Sequence, residues 1–272
     1  MRIFAIRDDE LECRKNLAYL IYYEKSKRFY IEIPDNADLW ETPLLLSELF
    51  MQGYHTIDAY WSKLWVQQRI VPPDRQNIGQ ILKANGLEEY DEFQLLLLGN
   101  GRCAQDNYYL EELPEEELPA KMAKRFLKRV YNVIPLEEES LLVFFQDGRL
   151  RKMTLKSVLT GKEQRYLEVL RKQEVFTTVR VQPGGYGICW GEQVNIASEV
   201  LYTRGQLIPL SQNDFLDFVK YQVVNTAEAV DILSCSRQNI NDLVSREKLH
   251  PVKKTAKNTL FMKRDLEQRT WL

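Results

Sequence analysis

The stretch that decides the fold of the C-terminal part is "NTAEAVDILSCSRQNINDLVSREKLHPVKK", Asn225–Lys254. Two short helical patterns flank Ser-Cys-Ser, and a basic run follows them. Thr226 and Ser236 are predicted N-caps, because their hydroxyl oxygens accept hydrogen bonds from free N–H groups at helix starts. The first pattern is too short to form a stable helix alone, so it has to bury its apolar face against a second helix.

Each pattern has one apolar face. In the first helix Ala227, Val230 and Leu233 share that face with Ala229 beside them, and in the second helix Ile240, Leu243 and Val244 form it. The rest of the second helix is polar and is predicted to face outward. This arrangement predicts a helix-turn-helix.

The outward face of the second helix has the chemistry of base recognition. Arg donates paired hydrogen bonds to guanine, and Gln or Asn bonds adenine in a bidentate way. These residue types cluster at the start of the helix, the end that such helices insert into the major groove. The residues predicted to contact DNA are Ser236, Arg237, Gln238, Asn239 and Asn241 on the helix, and Arg246, Lys253, Lys254, Lys257 and Asn258 after it.

The basic run that follows is predicted to form a β-wing. "LHPVKKTAKNTLFM" favours two strands, Leu249–Lys254 and Thr259–Met262, with a turn at residues 256–258. Lysines near the tip suit contacts to DNA phosphates. A closing helix in "KRDLEQRTW", with Leu266 and Trp271 in the core, completes the predicted unit. A helical hairpin used for protein contacts is the structural alternative.

The last 50 residues or so resemble the excisionase-like or MerR-type winged helix-turn-helix family. The resemblance is carried in order by Thr226, Glu228, Ala229, Leu233, Ser236, Arg237, Gln238, Ile240, Leu243, Val244, Lys248, Leu249, Pro251, Phe261, Asp265 and Leu266. It implies binding to double-stranded DNA through the second helix and the wing. The chain departs from the family where Ser234 and Glu247 replace frequent glycines, and where Asn258-Thr259 replaces Gly-Arg.

The composition bounds the classes of function. Hydrophobic residues make up 44% of the 272 residues, and the formal net charge is −2 at pH 7. No run of about 18 apolar residues occurs, and an acidic pair lies where a signal peptide needs an apolar region. We therefore expect a cytoplasmic protein with no membrane contact.

Side chains typical of catalytic or metal sites are sparse. Cys13, Cys103, Cys189 and Cys235 form no CxxC pair, and His55 and His250 are the only histidines. Gly184, Gly185 and Gly187 lie between predicted strands with no Gly-Lys-Ser/Thr after them, which indicates a turn rather than a phosphate loop. We expect no metal, no cofactor and no enzymatic activity.

The pattern along the chain predicts an α+β, multidomain protein. We expect a mixed N-terminal domain at 1–119, a basic linker helix at 120–138, a small β-rich α+β domain at 139–208, and the winged helix-turn-helix at 221–272. The linker helix is predicted to run from Lys121 to about Ile134, with Lys121, Lys124, Arg125, Lys128 and Arg129 on a solvated face. Leu17–Ile33 predicts a hairpin, and helices are predicted from about Ile57, from Asp74 to Ala84, and at Glu92–Leu98.

The middle segment resembles a small bacterial α+β domain family of unknown function that is often joined to DNA-binding helices. The shared residues are Phe145, Asp147, Gly148, Arg151, Trp190, Ile196, Glu199, Leu201 and Tyr202. A hairpin is predicted around Asp147-Gly148, because these residues tolerate positive φ. The resemblance implies no activity.

A weaker resemblance concerns the segment from Val66 to Leu113. It is similar to the leader segment of HipA-type proteins, on Arg69, Ile70, Val71, Pro72, Arg75, Asp106, Tyr108 and Tyr109. This similarity implies a toxin-antitoxin or mobile-element setting and no catalytic residue.

Charge is segregated along the chain. Ten acidic residues and one basic residue lie between Glu88 and Glu117, whereas nine basic and six acidic residues follow from Tyr221 onward. Such asymmetry is typical of a nucleic-acid-facing end. We expect a transcriptional regulator or repressor that binds double-stranded DNA as a homodimer through its N-terminal or middle domain. The alternative is a protein-interaction adaptor or antitoxin-like partner whose acidic stretch, Glu111–Glu117, covers a basic protein surface.

Overall fold

The computed structural model describes residues 1–11 and 14–271, so Cys13 lies outside the described residues. The chain forms two compact units. The large unit contains residues 1–147 and 153–205, and the small unit contains residues 148–152 and 206–272. Both helices and antiparallel strands are abundant, as an α+β protein requires.

The elements are numbered in chain order. The strands are β1 (Arg2–Asp8), β2 (Ala18–Tyr23), β3 (Arg28–Glu32), β4 (Thr56–Ile57), β5 (Tyr108–Leu113), β6 (Val130–Pro135), β7 (Ser140–Phe145), β8 (Arg149–Thr154), β9 (Arg180–Val181), β10 (Gly187–Trp190), β11 (Val194–Ala197), β12 (Gln206–Ser211), β13 (Val223–Asn225), β14 (Lys253–Lys254) and β15 (Thr259–Met262). The helices are α1 (Leu44–Met51), α2 (Ala59–Gln67), α3 (Ile78–Ala84), α4 (Glu92–Leu98), α5 (Ala120–Phe126), α6 (Leu155–Val158), α7 (Leu167–Leu170), α8 (Gln173–Phe176), α9 (Ser198–Arg204), α10 (Gln212–Gln222), α11 (Thr226–Leu233), α12 (Arg237–Ser245) and α13 (Lys263–Trp271).

A five-stranded antiparallel sheet organises the N-terminal part of the large unit. Its strand order is β4-β3-β2-β1-β5, so β1 lies between the strand that follows it and one about a hundred residues later. Side chains alternate between the two faces of a strand. Phe4 and Ile6 therefore pack against α1, α2 and α4, while Ile3 and Ala5 pack with Met122 of α5. The sheet is buried on both faces.

Several local predictions for this part are confirmed. The predicted hairpin is β2 and β3, whose connection ends at Lys27 with a φ of 50°. Helix α2 begins after Asp58, whose carboxylate accepts from the backbone N–H of Trp61, and α4 matches its predicted bounds. Helix α3 starts later than expected, because its N-cap is Asn77 rather than Asp74.

The predicted linker helix is wrong in its second half. Helix α5 ends at Phe126, and residues that were expected to continue it form strand β6, which pairs with β7. The segment "VYNVIP" is rich in β-branched and aromatic residues, which suits a strand. Its pairing with β7 decides in favour of that state.

The basic face of this segment is also not solvated throughout. Arg129 is 8% exposed and Glu32, at the end of β3, is 1% exposed. One nitrogen of the Arg129 guanidinium donates to Glu32 over 3.0 Å and also to the hydroxyl of Tyr186. Arg125 donates to the other Glu32 oxygen over 3.1 Å. A buried carboxylate needs such partners, because desolvation penalises an isolated charge.

Aromatic rings enclose this ion cluster. The Arg129 guanidinium lies 3.9 Å from the ring centroid of Tyr186, and that ring stacks on Tyr30 with centroids 3.7 Å apart. Burial, together with the nearby Glu32 carboxylate, raises the pKa of Tyr186 well above its usual value. The phenol therefore stays protonated. The cluster joins β3 to the segment that begins after α5.

Two glycines, Gly184 and Gly185, pack closely beside this cluster. A Cβ at Gly184 would lie 2.1 Å from the hydroxyl oxygen of Tyr23, and a Cβ at Gly185 would lie 2.3 Å from the carbonyl oxygen of Val130. Both residues have positive φ, at 69° and 73°. These glycines form a turn, as the sequence indicated, and they also allow a close approach of two backbone segments that the sequence did not predict.

The small unit has its own core. Strands β13, β15 and β14 form an antiparallel sheet in that order. The core is formed by Val224, Ala229, Ile240, Leu249, Phe261 and Leu266. Ala229 is fully buried whereas Ala227 is exposed, which reverses their predicted places on the apolar face of α11. Strand β13 was not predicted, although Val223-Val224 is a β-branched pair.

We predict that Arg129→Met destabilises the large unit by about 3 kcal/mol, because Glu32 stays buried after losing one partner. Arg125 still pairs with Glu32, so the loss lies at the lower end of the range for broken buried pairs. Guanidinium unfolding followed by tryptophan fluorescence measures it.

The matched control is Arg28→Met on β3. Arg28 pairs with Glu192 over 3.5 Å, and these side chains are 46% and 90% exposed. Losing an exposed pair costs less than about 1 kcal/mol. Equal losses in the two variants would contradict a special role for the buried cluster.

Candidate functional site

Helices α11 and α12 both begin at N-cap residues whose side chains accept backbone hydrogen bonds. Asn225, not Thr226, is the N-cap of α11, since its side chain accepts from the backbone N–H groups of Ala227 and Glu228. The Glu228 carboxylate accepts in return from the N–H of Asn225 over 2.8 Å, which completes a capping box. Thr226 becomes the first helical residue. The prediction of Ser236 as the second N-cap is confirmed, because its hydroxyl accepts from the N–H of Asn239.

Both helices end in the left-handed region without glycine. Ser234 has a φ of 48° after α11, and Glu247 has a φ of 55° after α12. At the end of α12, the N–H of Lys248 donates to the carbonyl oxygen of Leu243, and the N–H of Glu247 donates to the carbonyl oxygen of Val244. These two bonds are the pattern of a Schellman motif. These are the two positions where the resembling family frequently has glycine. The turn geometry gives the physical reason for that preference.

Helix α12 presents the predicted face to solvent. Ile240 is fully buried and Leu243 and Val244 are half-buried, which fixes the rotation of the helix. Arg237, Gln238, Asn239 and Asn241 are all exposed. Within the part of the chain that the structure describes, their side chains make no hydrogen bond or ion pair. Their donors are therefore available to a ligand.

Arg246 is also exposed, as are the predicted wing residues Lys253, Lys254, Lys257 and Asn258. The first wing strand is shorter than predicted, because β14 contains only Lys253 and Lys254 and Leu249 lies in the core. The turn at its tip is closed by Thr255, whose N–H and hydroxyl both donate to the carbonyl oxygen of Asn258. Asn258 thus shapes the turn through its backbone. Thr255 was missed, although Thr and Asn three residues apart are typical of such a turn.

Strand alternation separates the two lysines of β14. Lys254 pairs with Thr259 and Lys253 pairs with Leu260. Directly opposed residues share a face, and Thr259 shares its face with Phe261. Phe261 packs in the same core as Ile240 of α12. Lys254 therefore emerges on the side of the sheet that packs against the helices, and Lys253 emerges on the other side.

The large unit contains a cleft of about 730 Å³. Trp61, Trp65, Arg69, Asp106 and Tyr108 contribute to its wall. The Arg69 guanidinium donates to both Asp106 oxygens, over 3.2 and 2.6 Å, and lies 3.9 Å from the Trp65 ring centroid. Two residues of the HipA-like pattern thus neutralise each other. The volume of the cleft lies in the range of ligand pockets, and this pair adds no net charge to its wall.

Part of the acidic stretch is used inside the large unit. Arg7 pairs with Glu111, and Arg2 forms a two-bond contact with Glu112 through distances of 2.7 and 2.6 Å. The Arg2 contact lowers the pKa of Glu112. Residues 115–117 form a short, exposed 3-10 helix.

The motif of the middle segment has structural roles. The Tyr202 hydroxyl donates to Asp147 over 2.7 Å, and its ring meets Phe145 edge to face with centroids 4.9 Å apart. The Trp190 indole N–H donates to the carbonyl oxygen of Phe176 over 2.9 Å. Glu199 is exposed in the first turn of α9. The shared residues thus connect a strand end, a helix and the core.

Residues 130–206 match a family model described as a protein of unknown function (DUF2442). The match covers less than a third of the chain and confirms that the middle segment is a domain of unknown function. The matched segment begins with β6. The sequence placed the start of this domain at residue 139, because it assigned the residues of β6 to the linker helix. Comparison of the chain with curated proteins and with solved structures gives no significant match.

The described residues lack the side-chain groupings of a metal site or a disulfide. There, no three His, Cys, Asp or Glu side chains are grouped to hold a metal ion. Cys103, Cys189 and Cys235 are partly buried and form no disulfide. No described helix has both the length and the apolar character needed to cross a bilayer.

We predict that Ser234→Gly and Glu247→Gly each stabilise the small unit by about 0.5–1 kcal/mol. Relief of left-handed strain, about 1–2 kcal/mol, is partly offset by the extra freedom of glycine in the unfolded chain. Thermal unfolding followed by circular dichroism measures the change. The control is Asp242→Gly at an exposed interior position of α12, where glycine should not stabilise.

Proposed function

We propose that the small unit binds double-stranded DNA with sequence preference, and that the protein acts as a transcriptional regulator or repressor. The observation that carries the proposal is the exposed face of α12. Arg237, Gln238 and Asn241 lie among the first five residues of α12, with no partner among the described residues. Their hydrogen-bonding groups match the major-groove edges of guanine and adenine.

The order of elements supports a winged helix-turn-helix. Two capped helices joined by a tight turn are followed by the hairpin of β14 and β15 and then by α13. The buried Ile240 holds α12 in place while its polar face points outward. A helix in this setting enters the major groove with its N-terminal residues first.

The basic residues supply the contacts to phosphate. Arg246 and Lys257 are exposed beyond α12 and at the hairpin tip. Lys254 emerges on the side of the sheet where α12 packs, so we infer that it contacts phosphate while Lys253, on the opposite side, contributes less. Phosphate contacts give affinity and orientation without reading sequence.

The adaptor or antitoxin-like alternative would use protein contacts instead. The internal pairing of Glu111 and Glu112 leaves fewer acidic groups for a basic partner. Purification with a bound protein and without duplex affinity would favour this alternative.

We predict that Arg237→Ala weakens binding to a preferred duplex by about 1–3 kcal/mol and relaxes preference at one base pair. The preferred duplex comes from selection of genomic fragments, and binding is measured by fluorescence anisotropy across all four bases at each position. Unchanged preference in Arg237→Ala would contradict base recognition by this residue.

The chain offers a matched control in Arg75→Ala. Residues 75–78 repeat the tetrapeptide of residues 237–240, and Arg75 is also exposed. Arg75 lies in the large unit, so its removal should leave duplex affinity and preference unchanged.

We predict that Lys254 and Lys253 contribute differently to the salt dependence of DNA binding. Lys254→Gln should lower the slope of log affinity against log salt by about 1, because one phosphate contact is lost. Lys253→Gln should change the slope less, although its charge and its place in the sequence are nearly the same.

Titrations between low and moderate salt measure both slopes, with Lys121→Gln in the large unit as the control. A larger effect at Lys253 than at Lys254 would contradict the inferred side of the hairpin. Absence of salt-dependent duplex binding in the wild-type protein would contradict the proposed function itself.

A further inference from the structure

Asp242 is an acidic residue at the centre of the polar face of α12. Each residue turns an α-helix by about 100°, so Asp242, two residues after the buried Ile240, lies about 160° from it around the helix axis. Gln238, two residues before Ile240, lies about 160° away in the opposite sense. Asp242 and Gln238 therefore flank the line that faces directly away from the core, and both are exposed.

The carboxylate of Asp242 has no partner in the part of the chain that the structure describes. It accepts no hydrogen bond there, and Arg246, four residues later, forms no ion pair with it. The backbone carbonyl of Asp242 accepts from the N–H of Arg246 and from the hydroxyl of Ser245, each over 3.0 Å. The Ser245 hydroxyl is thus turned back to the helix, whereas the carboxylate is available to a donor on another molecule.

The position of Asp242 does not stabilise α12. Aspartate is a weak helix former, and a negative charge is unfavourable near the C-terminal end of a helix, where the dipole is also negative. Helix α12 ends at Ser245, so Asp242 begins its last turn. The local structure therefore gives this carboxylate no stabilising role.

A carboxylate on this face has one favourable contact with the bases of duplex DNA. Phosphates repel its charge, which weakens binding to every sequence. In the major groove the amino group of cytosine donates to a carboxylate, while guanine and thymine present acceptor atoms that repel it. Adenine presents an amino group beside the acceptor N7, and this pair fits the amide of Gln or Asn rather than a carboxylate.

We propose that Asp242 selects a cytosine in the DNA site and lowers the affinity for duplexes that lack it. This inference rests on the proposed DNA binding by α12 and names one base that its exposed face reads. Asp242 is not among the residues that the sequence predicted to contact DNA, all of which are uncharged or basic. It is also not among the residues that carry the family resemblance.

Helix geometry places the cytosine close to the base that Gln238 contacts. The Cβ atoms of residues four apart on a helix are about 5–6 Å apart, and successive base pairs are about 3.4 Å apart. The base pair that Asp242 contacts therefore lies about one or two steps from the pair that Gln238 contacts.

Selection of duplexes by the full-length protein, followed by fluorescence anisotropy, tests the proposal. We expect the wild-type protein to prefer cytosine at one position, with about tenfold lower affinity when that base pair is changed. Asp242→Ala should lose this preference and bind unrelated duplex at least about twofold more tightly at low salt, because a repelled charge is removed.

Asp242→Asn should also bind unrelated duplex more tightly, because it too removes the charge. Its preference at the same position should change from cytosine to adenine, which the Asn amide bonds in a bidentate way. Gln238→Ala should relax the preference at a different position, within about two base pairs of the cytosine.

The matched control is Asp231→Ala on α11. Asp231 is also an exposed aspartate in the last turn of its helix. Its removal should leave the preferred base at every position unchanged. Circular dichroism checks that all variants remain folded.

The outcomes separate this inference from the proposed function. Both are wrong if the wild-type protein has no salt-dependent affinity for duplex DNA. If the wild-type protein binds a preferred duplex but Asp242→Ala keeps all of its base preferences, only the role of Asp242 is overturned. The same conclusion follows if Asp242→Asn prefers cytosine as strongly as the wild-type protein does.

Discussion

The large unit depends on the placement of one carboxylate, Glu32, at the end of a strand with almost no exposure to water. Such a group is stable there only when cations and hydrogen-bond donors surround it. Arg125 and Arg129 supply the charge, and the hydroxyl of Thr56 donates over 3.0 Å. The two arginines lie just before β6, the first strand of the family segment. Their bonds to Glu32 therefore connect that segment to the N-terminal sheet. The aromatic rings and the glycine turn around Arg129 extend the same contact.

The limits of sequence reasoning follow from this arrangement. Periodicity and caps located α2, α4 and the β2–β3 hairpin, since these signals are local. Helix α5 was predicted to continue because "RFLKRVYNVI" keeps a helical spacing of apolar residues, but pairing with β7 is a long-range interaction that the spacing does not contain. The charged face of that segment was expected in solvent for the same reason. A charged side chain is recognised as buried only when its partner, here 97 residues away for Arg129, is known.

In the candidate site the sequence specified the exposed and buried faces of α12, because both depend on positions three and four residues apart. The sequence did not reveal β13, which is the second strand that pairs with β15, and it placed the N-cap of α11 one residue too late. It also passed over α10, although Ser211 and Asp214 have the spacing of a capping box and an apolar run follows. The separation of Lys253 from Lys254 needed the strand register, which only pairing with β15 defines.

The order of strands in the large sheet has a consequence for folding during synthesis. Strands β1, β2 and β3 are joined by short connections and emerge first, yet β1 has a second neighbour, β5, that emerges about a hundred residues later. Until then, one edge of β1 presents unpaired N–H and C=O groups from a strongly apolar strand, which is the kind of edge that recruits other chains. The nascent protein thus passes through a stage in which its first strand is the most exposed to aggregation, and the arrival of residues 108–113 ends that stage.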